Sequence, residues 1–244
     1  WRWLFYLAGA PALLGILVLI LLPESPTWLA SRGRTTGPKP PAPLRELFRP
    51  PLLRITFTGI MLGSIPLVGA WAASKWMIPW ADEIGRAVRS DYKAVTQGWW
   101  AAGAILGSLI GAQIAALLGR RLSYFLISIG SFALTWAMFQ MTAPLQASFL
   151  PIVFAQGLVA TLFFGWLPLY LPELFPTAVR ATGSGISYNV GRFATAVGVL
   201  AAGALFTALG GSYPRVGAAA SFIYGLGILV IWLAPETKRQ SLAK

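Results

Sequence analysis

Two residue types that serve metal binding and catalysis are missing from this 244-residue sequence, which contains no cysteine and no histidine. Disulfides, metal sites built from cysteine or histidine, and catalysis by either side chain are therefore excluded. Among the remaining side chains, no candidate nucleophile has a base beside it. The sequence therefore predicts neither an enzyme nor a resident metal ion or cofactor.

Charged residues are also scarce, at 11% of the chain, where a soluble domain carries about 25%. Hydrophobic residues make up 57% of the sequence. A chain of this composition cannot cover its surface with polar groups, so lipid is the expected solvent. The 11 tryptophans suit a role as anchors at the two interfaces of a bilayer.

Seven apolar runs are long enough to cross a bilayer, which takes about 20 residues. Because backbone groups in lipid must bond internally, each run is predicted to be a helix, and the fold class is an all-α membrane protein with seven transmembrane helices. The runs cover residues 3–22, 55–80, 94–118, 122–141, 149–171, 186–209 and 216–234. Residue 1 is Trp and the first run begins at once, so the chain is expected to be truncated at its N-terminus.

The longest polar stretch, residues 23–54, is predicted to link the first helix to a bundle of six helices. Its proline-rich piece, residues 37–43, cannot continue a helix. The piece that follows, LRELFRPPLLR at residues 44–54, is basic and amphipathic, and is expected to lie on the membrane surface.

Basic residues are unevenly divided between the two sides that alternate loops would occupy, with 12 on one side and 5 on the other. The positive-inside rule places the richer side, and with it the C-terminus, in the cytoplasm, for a multi-pass protein of the bacterial inner membrane. The net charge of +12 is explained by topology and lipid headgroups, so nucleic acid is not a predicted partner. The richer side carries Arg32, Arg34, Lys39, Arg45, Arg49, Arg54, Arg120, Arg121, Arg180, Lys238, Arg239 and Lys244.

Arg192 lies two turns into the sixth predicted helix, where an ionisable residue is a functional candidate by default. Tyr188 and Thr195 share its face of the helix, and Asn189 lies at the edge of that face. We expect this polar stripe to face the bundle interior or a cavity, with Arg192 binding the substrate or gating its passage. The alternative is that Arg192 forms an ion pair with Glu173 in the preceding loop.

Lys75 is the second cation inside a predicted helix, about five residues from the outer end of the second run. Either it contacts the substrate, or its ammonium reaches the interface by extending along the helix. Gln156 and Trp166, in the fifth run, are further candidates for lining a cavity, together with Tyr188 and Asn189.

No aspartate or glutamate lies within any predicted transmembrane run. Proton-coupled transport usually needs a titratable group inside the membrane. A coupling carboxylate would therefore lie in a part of the protein missing from this chain, or the protein is not coupled to protons.

The third run carries Gly103, Gly107 and Gly111 at four-residue spacing, followed by Ala115. Small residues at this spacing fall on one face of a helix and let another backbone approach closely. The face is predicted to be either a sliding interface between moving helices or a static packing surface. Pro66 and Pro168 are predicted to interrupt two other runs, as in transporters whose broken helices mark a site.

Motifs in the loops carry a more specific signal. PESPTWL follows the first run, GRR lies between the third and fourth, PELFPTAVRATGSGISYNVGR leads into the sixth, and PETK follows the seventh. Together they resemble the corresponding loops of the major facilitator transporters, whose motifs include PESPRWL and PETKG. The matching residues are Pro23, Glu24, Ser25, Pro26, Gly119, Arg120, Arg121, Glu173, Arg180, Gly183, Pro235, Glu236 and Thr237.

This resemblance covers the whole chain, as helices six to twelve of a twelve-helix fold that works by alternating access. It implies that residues 1–22 form the last helix of a missing N-terminal half and residues 23–54 the cytoplasmic central loop. Residues 55–234 would form the C-terminal six-helix bundle, and residues 235–244 a cytoplasmic tail. The implied partners are a small solute, the lipid bilayer and the missing half of the same polypeptide.

The sequence departs from the family pattern at two places. Ala116 and Leu117 stand where the family's GxxxDRxGRR has Asp and Arg, which weakens the case for a charge-relay gate. The second run, at residues 63–76, lacks the glutamine and asparagine that sugar porters carry there. That difference favours a substrate met by a cation, and RATGSG followed by NVGR resembles the organic-acid branch.

The resulting hypothesis is a secondary carrier of a small organic solute, most simply an organic acid or anionic metabolite, and a symporter if protons are coupled. A sugar porter is the alternative within the family. A seven-helix receptor fits the number of helices and their orientation, but the transporter-like loops argue against it.

Overall fold

A computed structural model describes residues 2–24, 26, 29 and 43–238. Over these residues it contains no strand and has seven spans that are long and apolar enough to cross a membrane. The predicted all-α fold with seven transmembrane helices is therefore confirmed. Ser25, residues 37–42 of the proline-rich piece and the end of the tail from residue 239 lie outside the described residues.

The chain divides into two compact units, residues 1–41 and 42–244. In the first unit, helix α1 runs from Arg2 to Leu21, within one residue of the predicted bounds. Its 20 residues give a length of about 30 Å, which equals the thickness of a bilayer's hydrocarbon core. An edge-on contact between Trp3 and Tyr6 lies near its start.

The second unit contains the other six spans. Its helices are α2 (Pro43–Leu47), α3 (Leu52–Gly85), α4 (Tyr92–Leu118), α5 (Arg120–Gln140), α6 (Phe149–Thr161), α7 (Leu167–Glu173), α8 (Arg180–Ala208) and α9 (Tyr213–Val230). A 3₁₀ turn at Leu162–Gly165 joins α6 to α7 within one span, and a second, Ile231–Leu233, extends α9.

Two helices are longer than predicted. Helix α3 begins three residues earlier and ends five residues later than the run at residues 55–80, and α8 begins six residues before residue 186. Polar residues such as Asp82 and Arg180 end an apolar run in the sequence, but they do not end a helix. These extensions change the depth of both cations within their helices.

Glycines bring the helices together in pairs. A Cβ added to Gly103, Gly107 or Gly111 of α4 would strike the main-chain carbonyl of Phe154, Leu158 or Leu162 on the neighbouring span. On α3, an added Cβ at Gly63 would strike the carbonyl of Ser187 on α8. The predicted small-residue face of α4 is thus a backbone-to-backbone contact with α6 and the turn after it.

The two prolines behave differently from each other. Pro66 lies inside α3, which continues without a break from Leu52 to Gly85, so the predicted interruption there is wrong. Pro168 lies in the first turn of α7, after the 3₁₀ turn that ends at Gly165. The fifth span is therefore broken where the sequence predicted, with Pro168 at a helix start, where its missing N–H group leaves no helical hydrogen bond unmade.

The amphipathic piece at residues 44–54 does not lie wholly on the membrane surface. Leu47 is fully buried in the bundle core, and its carbonyl accepts a hydrogen bond of 2.9 Å from Thr56 Oγ1 on α3. Leu44 and Phe48 are exposed. One face of this short segment therefore docks on the bundle, and only its other face is available to lipid headgroups.

Replacing Gly107 with leucine is expected to destabilise the bundle. The Cβ of the new side chain would strike the Leu158 carbonyl and would lie 2.5 Å from Thr161 Oγ1. Overpacking of this kind costs about 1–3 kcal/mol. The matched control is Ile105→Leu, since Ile105 is 61% exposed. Melting of both variants in detergent checks this prediction, and equal melting temperatures would show that the face does not meet a helix.

Candidate functional site

Arg192 lies deeper in its helix than the sequence suggested. Because α8 begins at Arg180, Arg192 is twelve residues from the first residue of the helix, or about 18 Å along its axis. The prediction of two turns was based on a start at residue 186. Arg192 is therefore close to the middle of a 29-residue helix.

The guanidinium of Arg192 contacts an aromatic ring and no carboxylate among the residues described. Its Cζ lies 5.2 Å from the ring centroid of Tyr188, one turn earlier on α8. The alternative pairing with Glu173 is not formed, because the oxygens of Glu173 bind Arg120 and Thr237. A stacked arginine keeps its donors available for an anion.

The face of α8 that carries Asn189, Arg192 and Phe193, called the open face below, points away from the bundle core. All three residues are exposed, Phe193 to 73%, and the Asn189 amide is satisfied by the carbonyl of Gly185 at 2.8 Å. Asn189 and Arg192 of the predicted polar stripe therefore do not face the interior of this bundle, whereas Tyr188 and Thr195 are half-buried. A guanidinium at mid-helix depth does not rest in hydrocarbon without a large cost, so this face requires a watery cavity or further protein.

Lys75 lies in a separate groove, called the Lys75 groove below, between α3, α8 and α9. Since α3 ends at Gly85, Lys75 is ten residues from the end of the helix and not five, which lengthens the path to water. Its Nζ lies 5.5 Å from the ring centroid of Trp71. The groove measures about 550 Å³ and is lined by Val68, Trp71, Ala72, Lys75, Trp76, Thr195, Gly198, Ala202, Leu205, Ala219, Ala220, Phe222, Ile223, Gly225 and Leu226.

Gln156 and Trp166 are packed inside the bundle and are not among the residues that line the Lys75 groove. Gln156 is fully buried; its Oε1 accepts a 2.7 Å hydrogen bond from Trp100 Nε1, and its Nε2 donates to Thr135 Oγ1 at 3.3 Å. Trp166 is 2% exposed and packs edge-on against Tyr124. A buried amide that joins three helices satisfies its own polar groups, which is a packing role.

At the other end of the bundle, the GRR and PETK motifs meet in what is called the loop cluster below. The carboxylate of Glu236 accepts hydrogen bonds of 3.0 Å from the backbone N–H groups of Arg120, Arg121 and Lys238. Two of these donors are the first N–H groups of α5, so the carboxylate caps that helix and complements its dipole. Gly119 precedes them with φ at 95°, a conformation that glycine adopts without strain.

Burial alone would raise the pKa of the Glu236 carboxyl. The hydrogen bonds from the backbone of Arg121, Arg120 and Lys238, with the charge of Arg120, outweigh this effect and hold the pKa below its ordinary value. Glu236 is therefore ionised at neutral pH, as its capping role requires.

An ion pair ties the loop cluster to the fifth span. Arg120 donates to Glu173 through Nη2 at 2.9 Å and Nε at 3.2 Å, which is a two-pronged contact. Thr237 Oγ1 donates to the same carboxylate. Although Ala116 and Leu117 replace the family's Asp and Arg, this end of the bundle thus keeps a charged contact built from other residues.

Three further bonds join the cluster to helix ends. Arg121 Nη2 donates to the Trp232 carbonyl at 2.8 Å, Lys238 Nζ to the Leu117 carbonyl at 2.6 Å, and Tyr170 Oη to the Pro235 carbonyl at 2.7 Å. The Lys238 contact satisfies a terminal carbonyl of α4. The sequence had flagged these motifs by resemblance, but it contained no signal for which groups pair.

The other motif residues lie apart from these contacts. Arg180 Nε donates to the Phe175 carbonyl at 3.3 Å at the start of α8, and Gly183 packs against the Phe175 ring. Pro23, Glu24 and Pro26 belong to the first compact unit.

Comparison with known proteins gives a consistent set of relatives. A family model described as "Sugar (and other) transporter" matches residues 1–40 and 41–244. The chain is 30% identical to the cis,cis-muconate transport protein of Acinetobacter baylyi over 87% of its own length and 51% of the relative's. It is 28% identical to a probable 4-methylmuconolactone transporter of Cupriavidus pinatubonensis, over 98% of its own length and 54% of the relative's.

A third relative, the inner membrane metabolite transport protein YhjE of Escherichia coli, is 36% identical over 59% of this chain and 34% of its own length. The chain thus spans about half the length of the first two relatives. No solved structure matches it significantly.

Replacing Glu236 with glutamine is expected to lower the melting temperature at pH 7, because glutamine lacks the charge that holds the start of α5. A folded-state pKa below the ordinary value of 4.5 means that the stabilisation is present above that value and is lost as the pH falls through the folded-state pKa. The gap between the parent and Glu236→Gln should therefore narrow as the pH falls below 4.5 and close below the folded-state pKa of Glu236. Glu83→Gln is the control, since Glu83 makes no hydrogen bond or ion pair with the described residues. A gap that persists at the lowest pH would contradict the capping role.

Proposed function

The chain belongs to the sugar (and other) transporter family of the major facilitator superfamily, and from this premise we propose that it forms part of a secondary carrier for a small organic acid. The observation that carries the proposal is the guanidinium of Arg192, which lies at mid-helix depth on the open face of α8 without a carboxylate partner among the described residues. Such a cation is compatible with an apolar membrane only if an anion or water meets it for part of the cycle.

The chemistry of the open face fits a carboxylate. A guanidinium presents parallel N–H donors that match the two oxygens of a carboxylate. Tyr188 holds the Arg192 side chain from one side by stacking, and Asn189 lies beside it on the same helix. The names of two relatives, a muconate carrier and a probable methylmuconolactone carrier, support an organic acid or a related anionic metabolite as the solute.

The open face also bears on which part of the carrier this chain forms. Because the chain spans only about half the length of the first two relatives, we propose that residues 55–234 are the C-terminal six-helix half and residues 1–22 the last helix of an N-terminal half. The remainder of the same polypeptide then covers the open face across a watery cavity. Residues 23–54 are the proposed cytoplasmic loop, and residues 235–244 the proposed cytoplasmic tail.

Proton coupling has a limited set of candidates in this chain. Asp82 and Glu83 lie in the last turn of α3, Glu173 ends α7 and is paired, and Glu236 caps α5. None of these described carboxylates lies near the middle of a span. If the carrier is a symporter, its coupling carboxylate is proposed to lie in the other half.

A sugar porter is the second candidate within the family, favoured by the family description alone. Sugar recognition depends on several polar groups that bind hydroxyls, and the described Gln156 amide instead binds Trp100 and Thr135 inside the bundle. Lys75, the second candidate for contacting the solute, differs from Arg192 in that apolar side chains surround it.

Replacing Arg192 with lysine is expected to remove most transport of a dicarboxylate such as cis,cis-muconate while expression stays normal. Lysine keeps the charge but not the two-pronged contact, and losing a charge-assisted bond costs about 1.5–3 kcal/mol, so the apparent affinity should fall about tenfold or more. Initial uptake rates at a series of solute concentrations in the native host check this. Arg192→Ala should lose at least as much.

Phe193→Leu serves as the matched control, because it changes the next residue of the same exposed face without removing a charge. Rescue of function by the exchanged pair Glu173→Arg with Arg192→Glu would support the ion-pair alternative. An unchanged affinity in Arg192→Lys would remove Arg192 from the solute site.

The proposed orientation follows from the 12 basic residues on one side against 5 on the other. A reporter enzyme that works only in the cytoplasm is expected to be active when it is fused after Lys244. A reporter enzyme that works only on the outer side of the membrane is expected to be active when it is inserted at Arg86. The reverse pattern for the two fusions would overturn the proposed topology.

A further inference from the structure

The Lys75 groove is distinct from the open face that carries Arg192. Its walls are almost wholly apolar, and its aromatic and aliphatic side chains come from three helices: Trp71 and Trp76 from α3, Leu205 from α8, and Phe222 and Leu226 from α9. Thr195 is its one hydroxyl-bearing residue, and that hydroxyl already donates to the Gly191 carbonyl at 2.9 Å. Such a lining offers a polyhydroxylated or multiply charged solute almost no hydrogen bonds.

The groove opens along the side of the bundle. Phe222 and Leu226, on its α9 wall, are 57% and 45% exposed, and both lie in the middle of a membrane-spanning helix. Phe222 also packs edge-on against Phe132 and Trp136 of α5, on the outer surface. This wall is at the depth of the hydrocarbon core, so acyl chains of the surrounding lipid have direct access.

Small residues keep the groove open. Gly198 on α8 and Gly225 on α9 both line it, and a Cβ added to either would meet no atom within 4 Å. These glycines differ from Gly103, Gly107 and Gly111 of α4, where a neighbouring backbone occupies the space that a side chain would fill. Here the space is left for something outside the described residues.

One positive charge lies in this apolar surrounding. In the part of the chain that is described, the Lys75 ammonium contacts the Trp71 ring and forms neither a hydrogen bond nor an ion pair. With α3 centred in the bilayer, Lys75 is about 10 Å from the midplane and about 5 Å inside the edge of the hydrocarbon core. A lysine side chain spans that distance, so by turning from the Trp71 ring toward the end of α3 its ammonium can reach a lipid phosphate.

We propose that the Lys75 groove binds an anionic phospholipid, with one acyl chain lying between α8 and α9 and the phosphate on the Lys75 ammonium. The positive charge of Lys75 favours an anionic head group. The apolar walls, which are open to the bilayer core, favour an acyl chain. The bound lipid fills the space that Gly198 and Gly225 leave between α8 and α9. This site is independent of the proposed solute and of its binding at Arg192.

Thermal melting of the purified protein in a neutral detergent, with added lipid, tests the head group. Dioleoylphosphatidylglycerol is expected to raise the melting temperature with a half-maximal concentration about tenfold lower than dioleoylphosphatidylcholine, since only the former carries a net charge for Lys75. In Lys75→Gln the two lipids should become equivalent. A preference for phosphatidylglycerol that survives in Lys75→Gln, or oleate acting as well as phosphatidylglycerol, would overturn the proposal.

Filling the groove tests the acyl chain. Gly225→Leu is expected to fold normally, with an unchanged melting temperature before lipid is added, and to weaken the effect of both phospholipids about tenfold or more. Gly203→Leu is the matched control, because an added Cβ there also meets nothing within 4 Å but the residue does not line the groove. Equal lipid responses in these two variants would show that the lipid binds elsewhere.

Discussion

Contact between helix backbones at glycine is the interaction on which the rest of this structure depends. Lipid tails are as apolar as leucine, so a bundle in a membrane gains little from burying apolar surface and relies on close van der Waals contact. Gly103, Gly107 and Gly111 place α4 against the carbonyls of the fifth span, and Gly63 places α3 against α8. These pairs hold the helix backbones in close contact, and one face of α8 is left without a neighbour among the described residues.

That arrangement separates polar residues by role. Where a buried amide such as Gln156 joins three helices, its hydrogen bonds are satisfied inside the bundle. At the loop cluster, Glu236 and Glu173 bind helix ends and Arg120, so these acids hold the helices together at one end. Arg192 combines a permanent charge, mid-helix depth and an open face, and the proposal that it contacts the solute rests on this combination.

Much of the fold follows from the sequence, because a backbone in lipid has few options. All seven spans were predicted, and the bounds of α1 and α5 differ from the prediction by no more than two residues. The ends of α3 and α8 were missed, since polar residues continue a helix beyond the bilayer, and both cations were therefore placed too near a helix end. The burial of Gln156 and Trp166 depends on how their span is rotated about its axis, which hydrophobic periodicity does not encode. The capping of α5 by Glu236 depends on a contact between residues more than a hundred positions apart, which periodicity does not encode either.

The proposed organic anion and its contact with the open face of α8 can be tested in cells. Uptake of a labelled dicarboxylate by cells that express the protein, measured with unlabelled competitors, tests this most directly. The expected result is saturable uptake that other carboxylates inhibit and that glucose and other neutral sugars leave unchanged. Inhibition by sugars with no effect of carboxylates would contradict it.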